Sequence, residues 1–112
     1  MKHPVRSISH EGNHRIVEIG HCFDEHNAGI VRNICLNLIN GPRFKPNHKL
    51  IIDAKKTEEI DSAASSVLVE IHQNTKEKNG KMIIIPSPQM QRMFEIIGLN
   101  KFFLFHTDLQ SI

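Results

Sequence analysis

The feature that most constrains this chain is a repeated change of apolar period along a short sequence. Lys49-Leu50-Ile51-Ile52-Asp53 is apolar at three successive positions, as in a strand covered on both faces. Within ten residues the spacing becomes helical, with Ala64, Val67, Leu68 and Ile71 forming one stripe. Lys81 to Ile85 then returns to a β-branched run, and Met90, Met93, Phe94 and Ile97 fall at i, i+3, i+4, i+7. Strand, helix, strand, helix in that order predicts parallel strands joined by right-handed crossovers.

The flanks extend the pattern. Residues 4–10 and 14–20 read as strands joined by a turn at Glu11-Gly12-Asn13. Val31, Ile34, Cys35 and Leu38 mark a helix that stops at Gly41-Pro42, with Asp24 and Asn27 as candidate caps. The second helix is expected to run from about Ser62 to Asn79, with Gly80 as its left-handed terminal residue. Ser87-Pro88 starts the third, which Gly98 ends, with Leu99 packing back on it. Residues 101–105 read as a last strand, and Thr107 to Gln110 has the spacing of a capping box that opens a final helix. The fold class is therefore α/β: an N-terminal hairpin, then parallel strands, in one mixed sheet packed with α-helices. At 112 residues the chain is expected to form a single domain, 1–112.

Charge and composition exclude several functions. The balance of 14 basic and 12 acidic residues gives +2, too little to predict nucleic-acid or membrane binding. Arg43, Lys45, Lys49, Lys55 and Lys56 form a basic stretch, but Phe44 is its only aromatic, so it reads as a solvated loop surface and not as an RNA site. No apolar run approaches the ~20 residues that span a bilayer, so no membrane insertion is expected. The N-terminal MKHPVRSISH has no apolar stretch of a secretory signal. Cys22 and Cys35 have neither metal-motif spacing nor scaffold density, which points to a reducing cytoplasm. His21, Cys22, Asp24 and His26 are zinc-compatible ligand types, but their spacing matches no recognised site and they read as ordinary loop residues. No metal and no cofactor is called for. Neither a nucleophile–base pair nor a phosphate-cradling glycine loop is visible, so the chain does not read as an enzyme.

One local motif stands out. Ile60-Asp61-Ser62-Ala63-Ala64 opens the second helix after a charged loop. A helix N-terminus leaves backbone N–H groups free and stabilises an anion, so a hydroxyl there suits a phosphate. Taken locally, Asp61 or Ser62 is better explained as only an N-cap.

With the strand LIID at 50–53, the loop, IDSAA at 60–64, NGKMIII at 79–85 and SPQMQRMFEIIGLNKFF at 87–103, residues 49–112 resemble the STAS domain of bacterial anti-sigma factor antagonists. The N-terminal half matches more loosely, with IGHCFDEHNA at 19–28 aligning Asp24 with a family aspartate. The resemblance implies a binding switch. Ser62 would be the phosphoacceptor, flanked by Asp61 and Asp24. A serine protein kinase or anti-sigma factor-like regulator would bind the unmodified chain and release it on phosphorylation, and a PP2C-type phosphatase would restore it. The docking face would comprise residues 61–72 and the 54–59 loop, with Ala63, Ala64, Ser65, Ser66, Lys56, Glu58 and Glu59 as contact residues. The free protein is expected to be a monomer. The sequence departs from the family at Ala64, usually glycine, and at Ser65 and Ser66. Those departures suggest a different partner, offer alternative hydroxyls, and keep open a second role as a non-switching subunit of an ABC-type transporter complex. Nucleotide binding, discussed for the family, is also left open.

Overall fold

The computed structural model describes residues 3–112. Strands β1 (Val5–Glu11) and β2 (His14–Ile19) form the expected antiparallel hairpin, turning through Gly12 at φ 61°. The two-residue β3 (Cys22–Phe23) and helix α1 (Ala28–Asn40) lead to β4 (Lys49–Ala54). A second two-residue strand, β5 (Glu59–Ile60), precedes α2 (Ser62–Glu77). Strand β6 (Lys81–Pro86), helix α3 (Pro88–Ile97), β7 (Leu104–Phe105) and a 3-10 turn at Leu109–Ser111 complete the chain. The main sheet has the order β1-β2-β4-β6-β7, with every pair after the hairpin parallel. No helix among the described residues is long and apolar enough to cross a membrane.

The alternation of side chains divides the sheet's apolar residues between its faces. Val17, Ile19, Leu50, Ile52, Met82 and Ile84 join the buried residues of all three helices in one core. Ile16, Ile51, Ile83 and Ile85 form a smaller cluster on the opposite face, packed against Ile112. Central strands β4 and β6 contribute to both clusters, which is why their sequences run apolar without alternation.

Several local expectations are corrected. Helix α2 ends in a Schellman arrangement in which Asn79, at φ 59°, is the left-handed residue, with Asn79 N–H donating to Lys76 O and Gly80 N–H to Thr75 O. Gly80 is required for another reason: a Cβ there would lie 2.7 Å from the Phe44 ring and 3.0 Å from the His48 carbonyl oxygen. Helix α3 does end at Gly98, at φ 79°, with Leu99 N–H returning to Phe94 O. Its stripe is narrower than expected, because Ile97 is 45% exposed while Met90 and Phe94 are buried. The last strand contracts to Leu104–Phe105. The capping residue near the C-terminus is Asp108, not Thr107; its carboxylate accepts from Ser111 N–H at 2.9 Å and closes only the 3-10 turn.

Candidate functional site

The loops that follow β2 and β4 meet at one end of the sheet, the carboxyl ends of the parallel strands, where α/β sheets commonly bind their ligands. Backbone hydrogen bonds join them. His21 O accepts from Glu58 N–H (2.9 Å) and Glu59 N–H (3.0 Å), and β3 pairs with β5 in a separate two-stranded parallel sheet. The buried Thr57 donates its hydroxyl to Gly20 O at 2.8 Å. The one uncharged residue inside the charged run Lys55-Lys56-Thr57-Glu58-Glu59 is the sequence signal for this junction.

Asp61 stands at the N-cap of α2. One carboxylate oxygen accepts from Ala64 N–H at 3.2 Å, and the other accepts from Glu25 N–H at 2.9 Å. One side chain therefore both starts the helix and holds the loop before α1. Ser62, the next residue, is exposed at the first position of α2.

Asp24 sits differently from the expectation. Its carboxylate accepts from His26 N–H at 3.0 Å and its carbonyl from Ala28 N–H at 2.8 Å, so it shapes its own turn. The direct contact with Asp61 comes from the amide of Glu25. Asn27 occupies the α1 cap position but turns its side chain away, donating to Cys22 O and accepting from Asp24 N–H.

The expected docking residues separate by exposure. Ala64 and Ser65 are 0% and 4% exposed, and Ser65 Oγ lies 3.9 Å from the Met93 sulfur. Both side chains face the core, Ser65 toward Met93 of α3, so neither presents a contact surface nor, for Ser65, an accessible hydroxyl. Ala63 is half-buried. Ser66 is exposed and its hydroxyl donates to Ser62 O at 3.1 Å. Lys56, Glu58 and Glu59 are all exposed; Lys56 Nζ lies 3.6 Å from Glu18. Further along α2, Arg32 Nε of α1 donates to Glu70 at 2.8 Å, which holds the Glu70 carboxyl below its ordinary range and ties the two helices.

Beside this end lies an open hollow of about 500 Å³ bordered by His3, Arg6, His21, Cys22 and His26. On its rim the Cys22 thiol donates to the Glu59 carboxylate at 2.9 Å. That hydrogen bond, ahead of desolvation and the charge of Glu59 itself, pushes Cys22 up to about 11.

Set beside known proteins, residues 6–112 match the family model of the STAS domain. No curated protein matches the chain by sequence. Among solved structures, a Thermotoga maritima protein superposes with a TM-score of 0.82 at 14% identity, covering 94% of this chain and 88% of its own. An anti-sigma-factor antagonist (STAS) domain protein from Planctomyces limnophilus gives 0.81 at 17%, with 96% and 92% covered. The anti-sigma factor antagonist SpoIIAA, in its unphosphorylated form, gives 0.71 at 13%, with 94% and 90% covered.

Proposed function

Because this chain belongs to the STAS domain family, we propose that it is a non-enzymatic docking switch of the anti-sigma factor antagonist type, held by its partner while Ser62 is unmodified and released when Ser62 is phosphorylated. The observation that carries this reading is the exposed Ser62 at the first position of α2, directly after an Asp61 that is already committed to two backbone amides. A kinase can reach the hydroxyl, and the helix N-terminus tolerates the phosphate. The fold therefore survives modification while the surface changes. A phosphate adds about −1.5 to −2 charge at neutral pH. Beside Asp61 and Glu25, on a surface that loses water on docking, that charge meets repulsion and desolvation cost. A structural neighbour described in its unphosphorylated form is consistent with such a cycle.

The partner would be a serine kinase or anti-sigma factor-like regulator, with a PP2C-type phosphatase to reverse the modification. The docking face consists of Ser62, Ser66 and the exposed residues of the 55–59 loop. The transporter-subunit reading rested on the unusual Ala64-Ser65-Ser66 run, and two of those three side chains are buried.

The test is calorimetry. A partner captured with a Ser62→Ala bait is titrated with unmodified, Ser62→Ala and phosphorylated protein. The first two should bind equally, and phosphorylation should weaken binding by about 100-fold, near 2.8 kcal/mol at 1.4 kcal/mol per tenfold. Equal affinity of all three would replace the switch with a constitutive subunit. Phosphate found on Ser66 would move the site by one helical turn.

A further inference from the structure

We propose that His21, Cys22 and Glu59 form a zinc-binding site that bridges β3 and β5. A nitrogen, a sulfur and a carboxylate oxygen from these three residues all lie within 4.8 Å of one another. Zinc bonds of about 2.0–2.3 Å in a tetrahedron need ligand atoms roughly 3.3–3.8 Å apart. Cys22 Sγ lies 2.9 Å from one Glu59 carboxylate oxygen, Oε2, and His21 Nε2 lies 3.8 Å from the other, Oε1. Rotation of the exposed His21 and Glu59 side chains brings the three atoms around one ion.

The backbone holds these residues in place. Cys22 and Glu59 are register partners in the β3–β5 ladder. His21, one residue earlier, accepts both the Glu58 and Glu59 amides through its carbonyl. The ligands thus come from two loops already joined by hydrogen bonds and braced by Thr57 on Gly20. An outer partner is present as well. Glu58 Oε2 lies 3.5 Å from His21 Nδ1, the ring nitrogen opposite the one nearest Glu59. A carboxylate facing Nδ1 favours the proton there and leaves Nε2 as the ligand, as metal-bound histidines commonly arrange it.

A thiolate, an imidazole and a carboxylate form a borderline-soft donor set that suits zinc and is a poor match for magnesium or calcium. His21 and Glu59 are exposed, so water completes the fourth position. On binding, the Cys22 S–H bond breaks, the sulfur's electron pair goes to zinc, and one proton passes to the buffer. Asp24 and His26, which share this stretch of sequence, are outside the ligand set.

The test uses the full, reduced chain and needs no protein partner, so its outcome is independent of the switch. Zinc is titrated against a chromophoric chelator, and cobalt is added separately as a spectroscopic probe. The wild type should bind one zinc per chain and give a thiolate-to-cobalt charge-transfer band. Cys22→Ser should abolish the band and, like His21→Ala and Glu59→Gln, weaken zinc binding by more than tenfold. Glu58→Gln should weaken it by about tenfold, within the 10–100-fold range of lost outer-shell partners. His26→Ala should bind as the wild type does. Glu59→Gln is an exposed substitution and keeps the test valid if Cys22→Ser folds poorly. Failure of the wild type to bind zinc stoichiometrically, undiminished binding by Glu59→Gln and Cys22→Ser, or an equal loss in His26→Ala would each overturn the assignment.

Discussion

Helices α2 and α3 each begin beyond the carboxyl end of a parallel strand, and each has an oxygen-bearing cap. At α3 the cap is Ser87, 1% exposed, which accepts from Met90 N–H at 3.1 Å and is followed by Pro88. Ser87 holds that start inward, its hydroxyl on Met90 N–H and its carbonyl on Gln91 N–H, and Pro88 has no N–H to satisfy. At α2 the cap is a carboxylate shared between two segments, and an exposed hydroxyl follows it. The same device is closed in one place and open in the other. What sets the α2 start apart is the second loop that converges on its cap and the hydroxyl, where α3 has proline, that follows it in solvent.

The comparison can be broken most forcefully on the closed side. Phe94 of α3 is fully buried, with Phe103 and Phe105 ring centroids 5.2 and 5.8 Å away. Phe94→Ala should cost about 3–5 kcal/mol in urea unfolding. An unchanged midpoint with lost partner binding would make this stripe an interface.

Next come the caps themselves. Ser87→Ala should cost about 1–2 kcal/mol, because it strands the buried Met90 amide. Asp61→Ala should cost about 1 kcal/mol and, unlike Ser87→Ala, should speed hydrogen exchange at Glu25 as well as at Ala64. Exchange that changes only at Ala64 would mean the α1 loop does not depend on Asp61.

A smaller effect is expected at the exposed position. Ser62→Asp should stay within about 0.5 kcal/mol of the wild type, since an acidic residue is favourable at a helix N-terminus. A loss of several kcal/mol would place that side chain in the interior.

The smallest effect concerns the far half of α2. His72 meets Phe102 and Phe103 edge-on, with its Nδ1 buried and unbonded among the described residues. Burial, then the nearby Lys76 charge, lowers its pKa below the ordinary 6.5. The unfolded chain therefore binds this proton more readily. The neutral ring's contribution is complete above the unfolded value and declines as pH falls from there through the lowered folded value. His72→Phe should flatten that part of the melting-temperature profile, which lies below pH 6.5. A profile identical to that of the wild type would show that other histidines set it.

Elements carrying their own signals were legible in the sequence: the hairpin turn at Gly12, the apolar runs of β4 and β6, and the Ser87-Pro88 start with its Gly98 stop. The placement of Asp61 and Ser62 at the start of α2 was legible for the same reason, since a cap is written in adjacent residues. What was hidden depends on distant pairing. Strands β3 and β5 are two residues each, too short for any period to register, and they exist because the 20–23 and 57–60 segments bond to one another. The burial of Ser65 follows from where α3 packs, which the serine itself does not announce. At Asn79-Gly80 the terminal positive φ is on asparagine, and the glycine answers to a distant loop instead, since Phe44 claims the space a Cβ at Gly80 would fill.

The double amide grip of the His21 carbonyl on Glu58 and Glu59 bears on the entropy of recognition. A loop of this length usually has to give up backbone freedom when a partner fixes it, at about 1–2 kcal/mol per residue. Here much of that ordering is complete in the free protein, so the charged side chains of residues 56, 58 and 59 are displayed from a fixed frame. Such preorganisation reduces the entropy lost on association. Discrimination between partners then falls to shape and charge at contact, and variants that loosen the frame without touching a displayed side chain should weaken every partner alike.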